Sequence, residues 1–236
     1  NKFVQIYKVE IMSNNKKEQQ VEKGFENVEE ALGKTEQFIE RNQKSLMIGA
    51  LAVIAVFAII WMAKTLYMDP IAEEAQTEMF NAQYYFEQDS LRLALDGDGM
   101  NAGFLQIIED YGSTPAGNLA CYYAGVSYLK LGEYDKAKSY FKAFSSDDVM
   151  LKSLAEGLYG DAESQLGNMS EAVASYKKAI SEGNNIVAPM YLMKLGLLYE
   201  SQGKSNEAKA CYIEVKEKYP QSIQAGVAEK YSLSVK

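Results

Sequence analysis

Three stretches of the 236-residue chain are copies of one another. They read Leu131-Gly132-Glu133-Tyr134-Asp135-Lys136-Ala137, Leu166-Gly167-Asn168-Met169-Ser170-Glu171-Ala172 and Gln202-Gly203-Lys204-Ser205-Asn206-Glu207-Ala208. The glycines lie 35 and then 36 residues apart. Each copy makes physical sense as the turn of a helix hairpin. Glycine ends the first helix in the left-handed conformation without a Cβ clash. Asp135, Ser170 and Asn206 are expected to cap the second helix by accepting from its orphan N–H groups. The alanine five residues after each glycine is small enough for the two helices to approach closely.

The register extends in both directions. A second glycine sits seven residues upstream of each turn, at Gly125, Gly160 and Gly196, followed three residues later by Tyr128, Glu163 and Tyr199. Downstream, Phe141, Tyr176 and Tyr212 share one position, and Phe144, Ala179 and Val215 the next. With a period near the roughly 34 residues of that family, these residues resemble the tetratricopeptide pattern of small residues at helix contacts and aromatics between hairpins. Pro220 falls where that family often ends a repeat. Cys121 and Glu156 replace its usual bulky residue, and Gln202 stands where the other copies have Leu. The resemblance implies an all-α tetratricopeptide-repeat solenoid, a fold that binds polypeptides and rarely performs chemistry.

Charge and composition narrow the function. Residues 1–69 carry 9 Lys/Arg and 9 Asp/Glu, whereas residues 70–236 carry 15 and 23, so the net charge of −8 sits in the second part. An acidic domain without a basic stripe argues against nucleic acid and against docking on anionic lipid. The chain contains no histidine, which removes His-metal sites, Ser-His and Cys-His pairs and the commonest general base. Cys121 and Cys211 fall in the first and third repeats, too far apart for a disulfide's ~7 Å limit. Neither a catalytic constellation nor a cofactor or metal site is expected, and the chain reads as a non-enzyme.

From Ser45 to Ala63 no residue is charged. At ~1.5 Å per residue this stretch, completed by Leu66 and Tyr67, crosses a hydrocarbon core of about 30 Å. A buried globular helix is rarely apolar on every face. A cleaved signal peptide is disfavoured because more than forty residues, most of them polar, precede the run. Lys34, Arg41 and Lys44 precede it, while Lys64 is followed by Asp69, Glu73 and Glu74. The positive-inside rule then places the N-terminus in the cytoplasm and the repeats outside it, in the periplasm of a Gram-negative bacterium.

The expected organisation is an upstream extension of doubtful relevance (1–11), a cytoplasmic amphipathic helical segment (12–44) and a transmembrane helix (45–67). A degenerate first hairpin (70–114), three repeats (115–222) and a C-terminal capping helix (223–236) follow. Val21, Phe25, Val28, Leu32 and Ile39 form an apolar seam that either docks a partner helix or merges into the span. Asp69-Pro70 is expected to start a long helix over 71–95, its face marked by Ala72, Ala75, Met79, Ala82 and Phe86. Phe104, Ile107, Ile108 and Tyr111 mark a shorter helix. The intervening Asp96-Gly97-Asp98-Gly99 lacks the ligand spacing of a calcium loop. Ile223, Val227 and Tyr231 are expected to line a final helix capped by Ser222.

In the tetratricopeptide family the first helix of each repeat lines a concave groove. The resemblance therefore implies a protein-binding groove at Leu119, Tyr122, Val126 and Leu129 in the first repeat and Met190, Met193 and Leu197 in the third. Glu200 completes the third set, and Leu154, Gly157, Asp161 and Ser164 form the second. The outer sets offer apolar walls with adaptable methionines. Tyr122 and Val126 replace the Lys/Asn set of the carboxylate-clamp subgroup. A second reading has the 71–95 helix filling this groove.

A cytoplasmic helix, one span and an exported repeat array together resemble the ancillary SecYEG translocon subunit (YfgM-like) family over roughly residues 20–225. That resemblance implies a bacterial inner-membrane protein beside integral translocon subunits. It would recruit a periplasmic chaperone or prolyl isomerase, or contact emerging unfolded clients. The alternative is a scaffold for another cell-envelope complex.

Overall fold

The computed structural model describes residues 39–235. The sequence expectations for 1–38, including most of the apolar seam, lie outside the described residues. The chain divides into two units, Asn1–Thr65 and Leu66–Lys236.

In the first unit residues 39–63 are helical (α1), and the large apolar side chains from Leu46 to Met62 are all exposed. This helix is long and apolar enough to cross a membrane, and no part of its apolar stretch is buried. Helical conformation runs on to Glu87, through a π-turn at Lys64–Met68 and into α2 (Asp69–Glu87). The expected fresh start at Asp69 does not occur. Met68, at the cap position, is itself helical (φ −74°, ψ −43°), with no side-chain cap. Pro70 lacks an N–H, and its ring crowds the carbonyl four residues back, at Leu66. A widened π-turn is how a helix absorbs such a residue without breaking.

The expected 71–95 helix breaks at residues 88–90, between α2 and α3 (Leu91–Asp96). Asp89 takes a left-handed φ of 56°, and the Ser90 N–H donates to the Tyr85 carbonyl at 2.9 Å. This turn is built like those of the repeats. Gly132, Gly167 and Gly203 have φ of 77°, 82° and 72°. The N–H after each glycine donates to Tyr128, Glu163 and Tyr199 respectively, each at 2.9 Å, the Schellman closure of a helix end. Asp89 thus occupies a turn-glycine position, with Ala82 seven residues before and Ala94 five after, both fully buried. The N-terminal cap is a fourth hairpin, its second helix split into α3 and α4 (Phe104–Tyr111).

The three repeats are the pairs α5 (Pro115–Lys130) and α6 (Tyr134–Ala143), α7 (Val149–Gln165) and α8 (Met169–Glu182), and α9 (Val187–Ser201) and α10 (Ser205–Lys218). Ala137, Ala172 and Ala208 are fully buried, and an aromatic of the second helix seats on a glycine of the first. A Cβ at Gly125 would lie 2.7 Å from Phe141, one at Gly160 2.8 Å from Tyr176, and one at Gly196 would overlap Tyr212. The expected caps are corrected. Asp135, Ser170 and Asn206 are second residues of their helices, and Glu133, Asn168 and Lys204 hold the cap positions without a side-chain bond to the helix's N–H groups. The Schellman closure has already fixed the backbone there. True caps act where no glycine turn precedes: Thr114 accepts from Gly117 N–H and Asp148 from Leu151 N–H.

The last helix, α11 (Ala225–Ser234), also departs from expectation. Ile223 precedes it and is 95% exposed, Val227 and Tyr231 are exposed, and the buried face is Ala228 and Ser232. Small residues let α11 lie close on α10, while the Tyr231 ring reaches Tyr212 at 5.3 Å between centroids. Ser222 is not a cap, since Gln224 holds that position.

Gly196→Ala should destabilise the protein by about 1–3 kcal/mol, the usual cost of overpacking, because its Cβ meets the Tyr212 ring. Gly226→Ala, with nothing within 4 Å of its Cβ, should instead stabilise by ~0.4–1 kcal/mol through a less flexible unfolded chain. Urea unfolding followed by circular dichroism checks both signs.

Candidate interaction surface

The first helices of the repeats present the expected binding positions, but the structure distributes them unevenly. Leu119, at the start of α5, lines a cavity of about 530 Å³ with Ala116 and with Ala72, Gln76 and Met79 of α2. Val126 and Leu129 are partly buried against the N-terminal core. Tyr122 does not stand free. Its ring lies edge-on to Phe141 at 6.4 Å and tilted on Phe144 at 5.4 Å, and burial pushes its hydroxyl pKa up. A charge there damages packing inside the hairpin.

On α9, Met190 and Met193 are half-buried against the C-terminal core, while Leu197 is 45% exposed. Between the two apolar ends, the middle repeat is sealed. Tyr191 is fully buried, crosses from α9 to α7 and donates its hydroxyl to the Leu154 carbonyl at 3.2 Å. Its ring fills the space a Cβ on Gly157 would need. Asp161 accepts from the Tyr176 hydroxyl at 2.8 Å and pairs with Lys194. Tyr191 was missed by reading the period, yet a signal existed. The equivalent positions hold Ala120 and Ala155, and Gly157 corresponds to Tyr122 and Met193. An oversized residue in one repeat is matched by an undersized one in its neighbour.

Glu163 is a second departure within the pattern. It replaces the tyrosine of the flanking repeats and is only 2% exposed. A buried carboxylate is tolerated only when fully bonded. Its oxygens accept from the Tyr159 hydroxyl at 2.5 Å and Asn168 Nδ2 at 2.6 Å, with Lys138 Nζ at 3.3 Å. Burial pushes its pKa upward, but the Tyr159, Asn168 and Lys138 donors outweigh this and hold it below the ordinary carboxylate value. Asp98 is likewise a staple. It accepts from Tyr85, the Asn101 side chain and the N–H groups of Met100 and Asn101. Cys121 and Cys211 are free and buried, and burial pushes the Cys211 thiol up to about 11.

Residues 120–147 and 191–222 match one model of the tetratricopeptide repeat, and residues 157–182 match another. The three hairpins are tetratricopeptide repeats. Among solved structures, the fold is similar to a crystal structure of the MamA protein. The TM-score is 0.53 at 18% identity, covering 67% of this chain and 82% of that one. A second MamA crystal structure aligns at a TM-score of 0.42 with 21% identity, covering 55% and 85% of the two chains. At such identities the likeness concerns the fold alone. No curated protein matches the sequence. A tetratricopeptide array is an interaction module whose partners are proteins.

Because the Glu163 pKa is depressed in the fold, its contribution is present above the ordinary carboxylate value of ~4.3 and is lost as pH falls through the lower folded value. Glu163→Gln should therefore cost about 1–3 kcal/mol at pH 7, with the difference from wild type shrinking below pH ~4. Chemical denaturation at both pH values measures it.

Proposed function

We propose that the chain is a membrane-anchored periplasmic interaction protein, an ancillary subunit of the Sec translocon that recruits a chaperone or prolyl isomerase or contacts emerging chains. The observation that carries this reading is the pairing of an apolar helix exposed on every face with a repeat array whose first helices carry Met190, Met193 and Leu197. In the proposed topology α1 spans the inner membrane once, the N-terminus is cytoplasmic and the repeats are periplasmic. Arg41 and Lys44 before the apolar run, against Lys64 alone just after it, support that orientation. Tethering beside an exit pore raises the local concentration of translocating chain.

The proposed groove runs from Leu119, Val126 and Leu129 to Met190, Met193 and Leu197, with Tyr122 supporting its wall. The sealed middle divides this path into two short apolar patches joined by the Asp161–Lys194 pair. Such a surface suits a defined partner segment better than a variety of unfolded clients, which favours the recruiting role. The same feature supports a scaffold for another envelope complex as the second reading.

Protease added outside the inner membrane of spheroplasts should digest residues 70–236 and leave the N-terminal arm protected. Protected repeats would overturn both topology and translocon role. Site-specific photo-crosslinking from Met193 in native membranes should give discrete adducts with translocon or chaperone subunits. Leu197→Glu should abolish these adducts while changing stability by no more than ~0.5 kcal/mol, as expected of an exposed position. Tyr122→Glu should melt the domain.

A further inference from the structure

The charge of this protein is not spread over the array. Residues 69–111, which form α2, α3 and α4, carry ten carboxylates against one cation, Arg92, a net of −9. Residues 112–236 carry fourteen of each sign and are neutral. Few of the cap's carboxylates are spent within the protein. Asp89 pairs with Lys130 and Asp98 is held by its loop. None of the described ion pairs engages Glu73, Glu74, Glu78, Glu87, Glu109 or Asp110.

The same cap breaks the rule that the solvent face of a helix is polar. Helix α2 buries Ala75, Met79 and Ala82. On its opposite side, one turn apart, Phe80 is 70% and Tyr84 53% exposed. Phe80 borders an open groove of about 560 Å³ with Glu73, Gln76, Thr77 and Asn81. Two aromatics at i and i+4, with Glu73 and Glu87 at either end of the same helix face, form an apolar anchor within the acidic cap, the arrangement of a protein-binding hot spot.

We infer that the outer face of α2 docks a basic polypeptide segment of another protein, with bulky apolar side chains packing on Phe80 and Tyr84 and Lys or Arg side chains meeting the surrounding carboxylates. Charge selects this occupant. A second copy would bring two caps of net −9 together and be repelled, and an anionic lipid surface is repelled in the same way. The site adjoins the Leu119 end of the α5–α9 groove, sharing Glu73 and Gln76 with it, but its aromatic anchors lie outside that groove and it does not depend on that reading.

The test uses the full-length protein in zwitterionic nanodiscs, titrated with a fluorescein-labelled synthetic peptide of Lys and Leu residues with one central Trp. Its counterpart carries Glu for every Lys. The basic peptide should bind with an affinity that weakens as salt rises, and the acidic one should not. F80A/Y84A should weaken binding by about tenfold or more. Glu73→Gln with Glu87→Gln, two exposed positions, should flatten the salt dependence even if the aromatic variant is less stable. Leu197→Glu should leave binding unchanged. Equal binding of the two peptides, or α2 variants that bind and respond to salt like wild type, would overturn the inference. Loss of binding in Leu197→Glu alone would place the peptide in the groove and likewise overturn it. So would a sedimentation mass of two chains that F80A/Y84A returns to one, which would make the occupant a second copy.

Discussion

Everything in the repeat array depends on the seating of one aromatic ring on one glycine per hairpin. At Gly125, Gly160 and Gly196 even a methyl group would collide with Phe141, Tyr176 or Tyr212. That contact sets how closely the two helices of a hairpin approach, and interiors packed this densely leave no slack for alternatives. The left-handed turn glycine supplies the reversal, the buried alanine after it keeps the second helix close, and the ring closes the unit. Because the ring also faces the next element, as Tyr212 does towards Tyr231, the same contact passes from unit to unit. Two of the rings carry hydroxyls that donate to carboxylates on the first helix of their own hairpin, Tyr176 to Asp161 and Tyr212 to Glu200. Each therefore ties polar groups of the first helices to the core beneath.

Where the repeats deviate from one another, the deviations come in matched pairs. Tyr191 in place of an alanine is met by Gly157 in place of a larger residue. Glu163 in place of a tyrosine is met by Tyr159, Asn168 and Lys138. Asp89 in place of glycine accepts the left-handed turn, as short polar side chains do more readily than others, and its carboxylate finds Lys130. These substitutions give the units individual surfaces while leaving the stacking contact intact. They divide the array into an acidic N-terminal cap, a sealed middle and an apolar third repeat, so a common backbone carries distinct binding characters along its length.

Much of this was legible before any coordinates. The glycine period exposed the turns, the second glycine and the aromatic exposed the packing, and the uncharged run exposed the helix able to cross a membrane. What escaped was whatever the local pattern did not carry. Asp89 hides the cap's turn because the repeat signature has glycine at that position. Pro70 reads as a helix start because sequence does not reveal that a π-turn can carry a helix through it. Ile223, Val227 and Tyr231 had helical spacing, but spacing does not say which face of α11 an adjacent helix will cover.

The sequence alone determined the number of hairpins, the residues at their turns and the exclusion of histidine chemistry, because these rest on local conformational limits and on composition. The tertiary structure decided which side chains remain available to a partner. Tyr122 and Leu197 are both expected to face a groove, yet one is held among aromatics and the other is open to solvent. Phe80 and Met79 are neighbours in the chain, yet one is exposed and the other buried. Exposure is set by the distance to the next packed element, and that distance depends on side chains a full repeat away, such as Tyr191 above Gly157.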